Sequence, residues 1–85
     1  MTAKEARVLN DHIAASEAFV TWVIISDSPG RFIGRAMVAD YGGKHQEGGD
    51  LVAGTIEELP AMLPAGLTRW ERTRMMPPDM LETWN

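Results

Sequence analysis

Phe19-Val20-Thr21-Trp22-Val23-Ile24-Ile25-Ser26, the turn Asp27-Ser28-Pro29-Gly30 and the return segment Arg31 to Asp40 decide how this sequence folds. The first eight residues are mostly β-branched or aromatic over a strand-sized length. Pro29 suits one central position of a tight turn, and Gly30 can take the positive φ that the next position demands. An antiparallel hairpin is therefore predicted. With Asp27 opposite Phe32, the register sets Trp22 opposite Met37 and Ile24 opposite Arg35 on one face. Val23 then faces Ala36, and Ile25 faces Gly34, on the other. Both faces of such a hairpin carry large apolar groups.

Before the hairpin, Ala3 to Glu17 is rich in helix formers, with Ala6, Leu9 and Ile13 spaced to share one side. After it, Tyr41 to Gly49 holds four glycines in nine residues and reads as a loop. Asp50 to Gly54 is a short third strand. Thr55-Ile56-Glu57-Glu58 opens a helix, with Thr55 as its cap and Glu58 as the reciprocal partner. Pro60, Pro64 and Gly66 keep that helix short. Leu67 to Arg72 fits an exposed fourth strand. Met80 to Trp84 alternates like an edge strand, with one helical turn after Pro78 as the other reading.

The expected fold class is α+β, in the order α-β-β-β-α-β: an N-terminal helix and an antiparallel sheet of three to five strands with one short helix packed on it. All 85 residues form a single domain, with the N-terminal helix at 1–17, the core at 18–72 and a C-terminal tail or edge strand at 73–85. One short helix cannot cover both faces of the hairpin. The second face needs the N-terminal helix or another copy of the chain, so a homodimer is expected. The surface expected to mediate contacts comprises Trp22, Ile24, Arg35, Met37, Trp70 and Trp84.

A hydrophobic fraction of 45% with 24% charged residues describes an ordinary folded domain. The absence of cysteine excludes a disulfide framework or a thiolate metal site and fits a reducing, cytoplasmic setting. A net charge of −4 argues against a general nucleic-acid binder. The run from Ala18 to Ile25 is far shorter than the roughly 20 residues that span a bilayer, so no membrane association is expected.

No assembled catalytic, metal or cofactor motif emerges. His45 lies near Lys44, Glu47 and Asp50, which marks an acid/base site around it as the enzymatic alternative. The pairs Gly42-Gly43 and Gly48-Gly49 lack the spacing of nucleotide-binding loops. Arg69-Trp70-Glu71-Arg72-Thr73-Arg74 reads as a charged edge strand with Trp70 packed inward. Arg31 and Arg35 share a strand face, Glu57 and Glu58 suit the first turn of a helix, and Met75, Met76 and Met80 read as core filler or an adaptable contact surface.

The stretch from Trp22 to Phe32, with Thr55-Ile56-Glu57-Glu58-Leu59 and Leu63-Pro64-Ala65-Gly66-Leu67, resembles short uncharacterised bacterial proteins. Residues 20 to 70, with their hairpin, third strand and Thr-x-Glu-Glu helix start, also resemble the HicB-like antitoxin domain. In this chain the glycine loop stands where that family has Pro-Asp-Leu-Pro-Gly. The second resemblance implies a β-β-β-α-β core and a small basic ribonuclease as partner. The leading expectation is a non-enzymatic, self-associating protein-interaction module, and an antitoxin-like regulator is the alternative.

Overall fold

In a computed structural model the chain forms α1 (Ala3–Ala15), β1 (Phe19–Ser28), β2 (Arg31–Ala39), β3 (His45–Ala53), a 3-10 turn (Ile56–Glu58) leading into α2 (Leu59–Met62), β4 (Arg69–Glu71) and β5 (Met80–Trp84). The structure describes residues 1–16, 18–39 and 45–85, with side chains at 45–47 outside the description. The five strands make one antiparallel sheet in the order β3-β2-β1-β5-β4. The α+β class and the antiparallel sheet are as expected.

The hairpin forms around Pro29 and Gly30, and Gly30 takes φ 73°. Its register is not the predicted one. Ser28 pairs with Arg31, but the ladder resumes with Ser26 opposite Phe32, leaving Asp27 as an extra, bulged residue. Beyond this bulge every partner is displaced by one. Trp22 lies opposite Ala36, Ile24 opposite Gly34, Val23 opposite Arg35 and Thr21 opposite Met37. Large residues of β1 thus meet small residues of β2 on one side, leaving room there for helices to approach.

Both helices use that room. A Cβ on Gly34 would meet Ile24, Leu59 and Leu51, and one on Gly48 would come within 3.0 Å of Leu9 and 3.2 Å of Ala36. Leu9 of α1 and Leu59 of α2 therefore lie on the same side of the sheet. Trp22, Ile24, Leu51 and Leu59 are fully buried there, with Ala6, Ala36, Ala53 and Leu63 completing the core. Full burial of Trp22 alone contributes on the order of 5 kcal/mol of apolar transfer. Its indole Nε1–H donates to Asn10 Oδ1 at 3.4 Å, which ties α1 to β1.

Four local expectations need correction. The third strand starts at His45 rather than Asp50, because Gly48 and Gly49 are strand residues over which α1 passes closely. Thr55 makes no side-chain cap bond, since Pro60 suits only the first turn of an α-helix and the chain before Leu59 winds as a 3-10 turn. The capping box sits instead at the start of α1, where Glu5 N–H donates to Thr2 Oγ1 at 3.2 Å and Thr2 N–H to Glu5 Oε1 at 3.1 Å. Finally, β5 is an interior strand, because β4 pairs with its outer side.

Candidate functional site

Strand alternation assigns each side chain a side. Val20, Trp22 and Ile24, with Gly34, Ala36, Leu51, Glu82 and Trp84, face the helices. Phe19, Thr21, Val23 and Ile25, with Ile33, Arg35, Met37, Asp50, Val52, Trp70 and Thr83, face the opposite, open side. The six residues expected to form one contact surface are therefore divided. Trp22 and Ile24 are buried beneath the helices with Trp84 packed against that core, while Arg35, Met37 and Trp70 look the other way.

The open side is where exposed apolar area collects. Phe19 is 62% exposed, Val52 48% and Trp70 57%, so Trp70 is not packed inward as expected. The reason is its pairing with Thr83 on the side without helices. Half-buried Ile25 and Met37 continue the apolar surface between these residues. Near its middle, Arg35 Nε donates to Asp50 Oδ1 at 2.9 Å and its Nη2 to Asp50 Oδ2 at 3.2 Å, a bidentate cross-strand pair. That geometry pairs the Arg35 guanidinium with Asp50. Arg31 is likewise paired, with Asp27.

The arginine-rich strip is used internally. Arg69 Nε donates to Glu82 Oε2 at 2.7 Å and lies 3.8 Å from Glu71, and Trp84 Nε1–H donates to Glu82 Oε1 at 2.9 Å. The Glu82 carboxylate, 5% exposed, thus has a donor on each oxygen and meets the requirement for burying a charge. Its hydrogen bond and charge raise the pKa of Arg69 above the ordinary value. Glu82 escaped the sequence reading because its two donors come from different points of the chain.

Among the described residues no group of three His, Cys, Asp or Glu side chains could hold a metal ion. The His45 backbone lies in β3 opposite Ala39, and its side chain and Lys44 lie outside the described residues. A groove of about 660 Å³ runs between the C-terminal half of α1 and the start of β1, with Asn10, Ser16, Thr21 and Asn85 among its lining. Among the described residues none of its lining side chains is ionisable. Among the described residues no helix is long and apolar enough to cross a membrane. No family model matches the chain, and neither a curated protein nor a solved structure matches it.

Proposed function

We propose that this chain is a non-enzymatic interaction module that associates with a second copy of itself through the open face of the sheet. The observation that carries this reading is the one-sided placement of both helices, which leaves Phe19 of β1, Val52 of β3 and Trp70 of β4 exposed on the other side. Apolar area of this kind marks a contact surface.

Two properties favour a second copy as the occupant. The Arg35–Asp50 pair sets a cation and an anion side by side, so a second copy of the same face can meet each with its opposite. A two-fold axis through this region also brings Arg35 of each copy toward the other's Asp50. Size fits as well. A stable interface buries about 800 Å² per partner, roughly one-seventh of this chain's 5614 Å² of accessible surface. The molecule measures 35 × 30 × 19 Å, and its broad side can supply that area.

Sedimentation velocity over a concentration series tests the proposal. A reversible dimer is expected, weakened about tenfold or more by Val52→Asp, which sets a charge on a half-exposed position and spares the core. A wild-type chain that stays monomeric up to about 1 mM would overturn it.

A further inference from the structure

Residues 72–79 join β4 to β5 and run across the open side of the sheet. Pro77 and Asp79, with Met80, close a hollow of about 220 Å³ whose other walls are Val23, Ile25, Arg35 and Met37. Val23 is only 9% exposed although both helices pack on the opposite side. The face therefore has a β1–β5 half beneath this segment at Val23, with Phe19, Val52 and Trp70 exposed around it.

The segment is bonded chiefly to itself. The Arg72 guanidinium donates to three backbone carbonyls, those of Met80 at 3.2 Å, Met76 at 3.3 Å and Pro77 at 3.4 Å. Met76 N–H donates to the Thr73 carbonyl and Met80 N–H to that of Pro77. It is tied to the sheet through its two bonds with Met80 of β5 and through the bond from Ser26 N–H to the Asp79 carbonyl, at 3.4 Å near the long limit for such a bond. Met75 projects into solvent at 93% exposure and adds no packing. Residues 72–75 and 77–79 are all exposed, and a segment with so little buried surface belongs at the low-stability end of a structure.

We infer that residues 72–79 are a displaceable cover, latched by Arg72, that occupies the β1–β5 half of the face and competes with the second copy for it. The inference rests on the self-association reading. In the closed state Phe19, Val52 and Trp70 are offered; opening adds Val23 and Ile25. Apparent affinity then scales with the fraction of open molecules, and loosening the latch raises that fraction.

The test compares Arg72→Ala with Arg74→Ala, which removes the same charge and none of these three bonds. Binding of an apolar dye and peroxide oxidation of Met80 in dilute, monomeric protein read uncovering, and sedimentation reads association. Arg72→Ala is expected to increase both monomer signals and to tighten association about tenfold, with Arg74→Ala changing neither. Unchanged dye binding and oxidation would overturn the cover. Increased uncovering with unchanged association would overturn the competition, and weakened association would make the segment part of the interface. If Val52→Asp alters association in neither background, the face itself is the wrong contact, while the monomer signals still decide whether the cover opens.

Discussion

The two sides of this sheet are built from the same strands, yet one is a closed core and the other an apolar surface. On the helix side the large residues of β1 meet Gly34 and Ala36, so Leu9 and Leu59 pack close to the sheet. On the open side Val23 and Ile25 meet Arg35 and Ile33, residues that stand up from the sheet. Small partners admit helices; large or charged partners keep them away. A single bulged residue, Asp27, determines which set falls on which side.

Two tryptophans give the strongest test of this contrast. Trp22→Ala should cost about 3–5 kcal/mol in urea unfolding, because its indole fills the core and its Nε1–H anchors α1 through Asn10. Trp70→Ala should leave stability within about 0.5 kcal/mol while weakening self-association. Equal losses of stability at both positions would erase the distinction between the sides.

The helix side also has a polar corner. Glu82→Ala should cost about 1–3 kcal/mol by leaving Trp84 Nε1 without its acceptor, and the indole N–H signal of Trp84 should shift with it. Glu82→Gln keeps an acceptor and should recover part of the loss.

Deletion of Asp27 sharpens the register argument. Since Asp27 is the extra residue, its removal should leave Trp22 opposite Ala36 and cost about 1 kcal/mol or less, much of it from the exposed pair with Arg31. Cross-strand nuclear Overhauser contacts report the pairing directly. A bulge-free ladder would instead exchange the partners of every core residue on deletion.

The smallest effect concerns α1. The backbone and side-chain hydrogen bonds from Thr2 hold the Glu5 carboxyl below its ordinary pKa. A depressed folded-state pKa contributes stability above the unfolded value, and this is lost as pH falls through the folded one. The first turn of α1 should loosen on acidification in that window, followed by the amide shift of Glu5. Thr2→Val should weaken the dependence without abolishing it, because the backbone N–H at position 2 still donates to Glu5.

The hairpin, its turn, the first helix and the α+β class were legible because each rests on neighbours in sequence: β-branched runs, Pro29-Gly30, and the spacing of Ala6, Leu9 and Ile13. Gly48 and Gly49 misled for a physical reason. A glycine that permits a loop looks the same as one that clears a path for a helix, and Leu9 lies 39 residues before Gly48. Met80 to Trp84 likewise read as an edge because Glu82 sits where a core strand wants an apolar residue. The arginine that makes this acceptable is 13 positions away.

By itself the sequence determined the hairpin, the first helix and the α+β class, since local propensity and period need no partner. The tertiary structure alone decided which side of the sheet is covered, where Trp22, Arg35 and Met37 point, and that the chain after β4 lies over Val23. Each of those depends on a one-residue bulge or on contacts between distant segments, and side-chain alternation turns one residue of register into a change of face.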